Sequence, residues 1–147
     1  MILEAFVKGA AKPQGSKRGF VTKTGRVAMV EMSGTPLKNW RQAVTWVIRG
    51  EAAKQKWELS EGPINVKVEF YLRRPKKPKH KEPAVRPDLD KLARAVLDAI
   101  TDAKTVWLDD SQVTRLYCEK HYARPGGEGV SIKLWKTQSS DAADADT

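Results

Sequence analysis

Residues 86–113 read RPDLDKLARAVLDAITDAKTVWLDDSQV. Leu89, Leu92, Ala93, Val96, Leu97 and Ile100 recur at the spacing of an amphipathic helix, with one apolar stripe facing a core. Pro87 disfavours a helical conformation for Arg86, and Asp88 suits the N-cap. Asp88 and Asp90 therefore fall in the opening turn. Asp109 and Asp110 follow Trp107-Leu108 and precede an alternating run from Val113 that reads as a strand.

Singly, each carboxylate has a plain structural account. Asp88 is a cap, Asp98 and Asp102 are solvated helix residues, and Asp109-Asp110 is a turn. Together they ask for more. Asp90 cannot be the same cap as Asp88, and the helix dipole favours an acid there by only about 0.3–1 kcal/mol. If the loop carrying Asp109 and Asp110 returns to the start of the helix, three or four negative charges gather. Such a group repels itself unless a cation neutralises it. Carboxylate oxygens without His or Cys suit Mg²⁺ or Mn²⁺ rather than Zn²⁺. Arg94, four residues after Asp90, lies on the same face. It reads either as an ion-pair partner or as a cation placed to steady a phosphate.

The pattern PDLDKLARAVLDAI…WLDDSQV resembles the RusA-type Holliday-junction resolvases, small homodimeric Mg²⁺-dependent endonucleases. In that family a D-x-D opens a helix, a Lys follows four residues after the second Asp, and a W-x-DDxQV segment supplies a third metal-binding Asp. The resemblance implies Asp88, Asp90 and Asp110 as ligands of Mg²⁺ (or Mn²⁺), with Asp109 as a neighbouring support or additional ligand. Arg94 stands where the family has Lys, and Lys91 where it commonly has Asn. Arginine keeps the positive charge but does not exchange a proton, so the role implied for Arg94 is electrostatic. A D-x-D also opens haloacid-dehalogenase-type phosphatase sites, but there it ends an apolar strand; here it follows a basic, proline-rich run.

The rest of the chain is compatible. Its 147 residues suit one domain with a real core. No run of 18 apolar residues and no signal peptide is apparent, so a cytoplasmic location is expected. The single cysteine, Cys118, lies in a predicted strand and reads as a small core hydrophobe. The net charge of +9 is segregated: residues 1–87 carry 19 Lys/Arg against 7 Asp/Glu, and residues 88–123 carry 5 against 7. That is the layout of a chain that holds a polyanion in one region and acts on it in another.

Two basic loops stand out. GAAKPQGSKRGF, with Lys12, Lys17 and Arg18, offers backbone N–H groups and cations to phosphate. RRPKKPKHKEPAVRP holds Arg73, Arg74, Lys76, Lys77, Lys79, Lys81 and Arg86 among four prolines, so it cannot form a helix or join a core. It leads straight into the D-x-D helix and is expected to contact DNA. His80, within it, has no partner pattern and reads as solvated.

Strands are predicted over residues 1–8, 63–72, 113–123 and 129–136, with a short hairpin over 20–30. A further helix is predicted from Pro36 to about Lys56, its stripe of Leu37, Trp40, Val44, Val47 and Ile48 serving as core or dimer contact, with Trp46 and Trp57 not assigned to that stripe. The last two long strands are expected to pair as a hairpin through Arg124-Pro125-Gly126-Gly127. The predicted fold is therefore α/β (α+β): a single domain over 1–136, with a mixed sheet of about four strands and two main helices, and a disordered acidic tail over 137–147. The resemblance implies a homodimer acting on branched DNA, the four-way junction, by paired phosphodiester hydrolysis in recombination and repair. The alternatives are a non-catalytic basic DNA-binding module and a metal nuclease acting on other branched or single-stranded nucleic acid.

Overall fold

The computed structural model describes residues 1–15, 17–21, 27–31 and 34–138, the two short stretches by their backbone alone. Four strands form one sheet: β1 (Ile2–Lys8), β4 (Ile64–Leu72), β5 (Val113–Tyr122) and β6 (Gly129–Lys136). Their spatial order is β1-β6-β4-β5. β6 is antiparallel to both β1 and β4, whereas β4 and β5 run parallel. A separate antiparallel pair, β2 (Lys17–Val21) and β3 (Val27–Glu31), forms the short hairpin expected here. The turn expected around Thr24-Gly25 lies outside the described residues, as does the part of the expected 137–147 tail from residue 139 onward.

The two helices are α1 (Gly34–Lys54) and α2 (Leu89–Ala103). Both send their stripes into one core. Trp40, Val44 and Ile48 of α1 and Leu92, Val96 and Ile100 of α2 join Ile64, Val66, Val68 and Phe70 of β4 and Val130, Ile132 and Leu134 of β6. Trp57 is in that core too, whereas Trp46 is 76% exposed. Cys118 is half-buried against it, and burial pushes its thiol above the usual range. The helices are also joined by polar contacts. Thr45 Oγ1 donates to the Ala99 carbonyl at 2.8 Å, Arg41 pairs with Asp102 at 2.7 Å, and Arg49 Nε donates to the Ala103 carbonyl at 3.1 Å. The Arg49 guanidinium thus meets the negative end of α2, where a cation is favoured.

The mixed four-stranded sheet with two helices agrees with expectation, but one pairing does not. β5 and β6 are not a hairpin, because β4 lies between them. β4 begins with three consecutive buried residues, Ile64, Asn65 and Val66, and lies between β6 and β5 in the sheet. A parallel neighbour for β4 requires a crossover, and the segment containing α2 provides it. The turn after β5 then passes over the end of β4, where Ala123 N donates to the Leu72 carbonyl at 2.7 Å.

Gly129 opens β6 opposite Lys8. A Cβ on it would run into the Val7 carbonyl oxygen and come within 2.7 Å of the Phe6 ring. Gly129→Ala is expected to cost about 1–3 kcal/mol, the usual penalty for forcing volume into a packed site. The check is the denaturant midpoint, which should fall with its slope unchanged; an unaltered midpoint would mean that β1 yields there freely.

Candidate active site

α2 starts as its sequence requires. Asp88 is the N-cap residue in an extended conformation, and its carbonyl accepts Leu92 N–H at 3.1 Å. Its side chain, however, makes no capping hydrogen bond. The Asp88 carboxylate is 57% exposed, with Lys91 Nζ at 3.9 Å. Asp90 is exposed as well, and its Oδ1 accepts Lys91 N–H at 2.9 Å. Local structure therefore leaves both carboxylates largely uncommitted. Asp90 and Arg94 line one shallow groove with Leu89, Ala93 and Leu97 of α2 and Leu116 and Cys118 of β5. No ion pair within 4.0 Å joins Asp90 to Arg94.

Both basic loops meet this turn of helix. Gln14 N donates to the Lys91 carbonyl at 2.9 Å, which lays the loop carrying Lys12 against the first turn of α2. Lys120 Nζ, on β5, donates to the Val85 and Pro87 carbonyls at 2.7 and 3.0 Å, which anchors the end of the second loop immediately before Asp88. Arg73, Arg74, Lys76, Lys77, Lys79 and Lys81 are all exposed, as is His80. The side chains of Lys17 and Arg18 lie outside the described residues.

The Asp109-Asp110 turn is held by side chains that sequence reasoning passed over. Trp107 is buried, and its Nε1 donates to Thr101 Oγ1 at 2.8 Å. Asp109 caps a single 3₁₀ turn, Asp110–Gln112, by accepting Ser111 N–H at 3.1 Å. The Ser111 hydroxyl first, and then this backbone hydrogen bond, hold the Asp109 carboxyl below its usual range. Gln112 is the knot. Its Oε1 accepts Leu108 N–H at 2.7 Å and Asp109 N–H at 3.0 Å, and its Nε2 donates to the Ser60 and Gly62 carbonyls at 2.9 and 3.0 Å. An acid followed three residues later by Gln is a capping-box signature, so this role was open to inference from DDSQ.

The turn comes back against α2 at Asp98, two helical turns beyond Asp90. Asp98 is half-buried rather than solvated, and that burial raises its carboxyl pKa above the ordinary value. Arg41 and Arg94 pull it back down, while Asp110 and Asp102 push it further up. Arg94 thus stands between Asp90 on one side and Asp98 with Asp110 on the other. Asp88, Asp90 and Asp110 do not come together as one set of ligand atoms within 4.8 Å. Among the described residues, the group of His and acidic side chains that does is Glu69, Glu119 and His121.

Residues 10–134 match the family model described as Endodeoxyribonuclease RusA. The chain belongs to the RusA endodeoxyribonuclease family. No curated protein matches it. The RusA match begins just after β1 and ends within β6, and it includes both basic loops, the opening of α2 and the Asp109-Asp110 turn. No described helix is long and apolar enough to cross a membrane.

Gln112→Ala would strip partners from two amide donors and two carbonyls at once. It is expected to cost about 1–3 kcal/mol, the scale for leaving such groups unpaired. It should also slow DNA cleavage at saturating protein while DNA affinity is kept. Melting curves and single-turnover rates check this. Full cleavage in a destabilised variant would show that the turn need not be fixed by this amide.

Proposed function

We propose that this RusA-family chain is a divalent-metal-dependent endonuclease that resolves four-way DNA junctions as a homodimer, in the cytoplasm, during recombination and repair. The observation that carries the proposal is the family match over residues 10–134, which takes in the whole acidic and basic apparatus. Residues 1–136 are the proposed catalytic unit. A two-fold dimer suits a two-fold junction, with one nick from each subunit.

Asp88, Asp90 and Asp110 are the proposed holders of Mg²⁺ or Mn²⁺. The donor chemistry suits such an ion, with hard oxygen ligands, two of them exposed and free of capping bonds, although the three carboxylates do not stand within 4.8 Å of one another. The chemistry such an ion supplies is activation of water and neutralisation of charge on the scissile phosphate. The chain's own residues do the rest. Arg94, between the carboxylates, attracts the phosphate and steadies its developing charge without exchanging a proton. Asp109 and Gln112 fix the turn that presents Asp110. Lys12, Lys17, Arg18 and the cations Arg73, Arg74, Lys76, Lys77 and Lys79 hold the flanking backbone by charge, which favours branched shape over base sequence. The direct test is cleavage of a synthetic four-way junction beside a matched duplex, with and without Mg²⁺. Absence of cleavage with either Mg²⁺ or Mn²⁺ would leave a DNA-binding module, and equal cutting of the duplex would remove the junction from the proposal.

Asp90→Asn is expected to lower cleavage by about a hundredfold or more, the scale for deleting one electrostatic stabiliser, with junction binding intact. Asp88→Asn and Asp110→Asn should behave alike. Near-normal turnover in all three at low Mg²⁺ would sink the metal assignment.

The loop from Arg73 to Lys81 should supply affinity rather than chemistry. Each phosphate it contacts contributes about −0.9 to the salt slope of binding on duplex arms. Changing Arg73, Arg74, Lys76 and Lys77 to Gln should flatten that slope and weaken junction and duplex binding together, with cleavage at saturating protein changed far less. Binding across a salt series decides it; an unchanged slope would move the DNA away from this loop.

A further inference from the structure

The face of the sheet opposite the helices carries a second group of side chains. Parallel pairing of β4 and β5 sets Glu69 beside Glu119 and Tyr71 beside His121. His121 Nε2 lies 3.2 Å from Glu69 Oε2 and 3.1 Å from Glu119 Oε2. The three ligand atoms all fall within 4.8 Å of one another. Nε2 is shut off from solvent, yet neither oxygen meets it in hydrogen-bond geometry. A buried imidazole nitrogen at ion-pair distance from two carboxylate oxygens, yet in hydrogen-bond geometry with neither, calls for a further partner such as a bound ion.

We propose that Glu69, Glu119 and His121 form a transition-metal site of the Zn²⁺ class. The spacing agrees. With metal–ligand distances of about 2.0–2.2 Å, neighbouring ligands of a tetrahedral ion stand roughly 3.3–3.5 Å apart. The donors agree too, because one imidazole with two carboxylates favours Zn²⁺ over Mg²⁺. The surroundings are those of a supported ligand set. Tyr71 O–H donates to Glu69 Oε2 at 3.4 Å and stacks on the His121 ring with centroids 5.3 Å apart. Lys67 Nζ lies 3.5 Å from Glu69 Oε1, which leaves Oε2 turned toward the imidazole. Such contacts orient ligands and fix their rings. Glu119 is half exposed, so water completes the coordination from the open side. The ion would staple β4 to β5 just before β4 releases the basic loop at Arg73. It would act as a structural clasp on the sheet face away from Asp90 and Arg94.

The test is calorimetric titration of Zn²⁺ into the full chain, in excess Mg²⁺ to occupy hard carboxylate sites. One Zn²⁺ per chain is expected, together with a rise in Tm. His121→Gln and Glu119→Gln should each weaken binding by at least about tenfold, a lower limit set by what loss of a mere supporting contact costs, and should abolish the rise in Tm. Asp90→Asn should leave Zn²⁺ binding unchanged. Glu119 is exposed enough that its variant should fold, and its melting curve without zinc verifies this. No bound Zn²⁺, or equal binding by wild type and both variants, overturns the proposal. Either result leaves the Mg²⁺-dependent cleavage test above untouched, since that test reads DNA product and not zinc.

Discussion

The burial of one helix face organises the molecule. Leu92, Val96 and Ile100 of α2 are completely removed from solvent against β4, β6 and α1. Each such side chain contributes about 1.5–3 kcal/mol relative to exposure, so the rotation of α2 about its axis is not free. With the apolar stripe fixed inward, Asp90 and Arg94 have one direction left, toward the groove against β5. Because α2 is also the crossover between two parallel strands, its two ends are held at opposite ends of β5. The Lys120 contacts tie down its start, and the Asp109-Asp110 turn leads from its end into Val113.

This placement sets charge against charge on one side of the sheet. Two cationic loops converge on the opening of α2, while the acids form a line along it from Asp88 to Asp98. Asp98 shows the tension in that line: burial and the nearby Asp110 both oppose its ionisation, and two arginines offset them. A phosphate entering there would be attracted by the loops and repelled by the acids, a conflict that the divalent cation proposed above would resolve.

Much of this was written locally in the chain. The stripe from Leu89 to Ile100, the Asp88 N-cap position, the helix near Pro36, the strand INVKVEFYL and the second basic loop all follow from spacing and composition, and the structure has them where the residues put them, whereas Lys17 and Arg18, expected in the first loop, stand on β2. What sequence alone did not reveal depends on long-range pairing. Nothing near Arg124-Gly127 says that β4 intervenes between β5 and β6, because a short turn reads as a hairpin unless a third strand competes for the place. The proximity of Asp98 to Asp110 depends on where the six-residue connection after Ala103 sets down. Glu69, Glu119 and His121 meet only through the parallel register of strands some fifty positions apart. By contrast, Gln112 was legible as a cap partner, and its reach to Ser60 and Gly62 was not.

The ammonium of Lys120 has a consequence for the geometry of capture. By gripping the Val85 and Pro87 carbonyls it shortens the unpinned arc of the cationic segment to the residues between Leu72 and Val85. Shortening a closed arc lowers the entropy it loses when its ends are held together. It also confines its charges to a small volume beside Asp88. In the proposed DNA contact, the lysines and arginines would therefore act at a high effective concentration toward a backbone passing the helix start. The three prolines within it, Pro75, Pro78 and Pro83, narrow the paths the arc can take, so a DNA strand at this proposed contact would meet a tethered comb of cations rather than a loose tail.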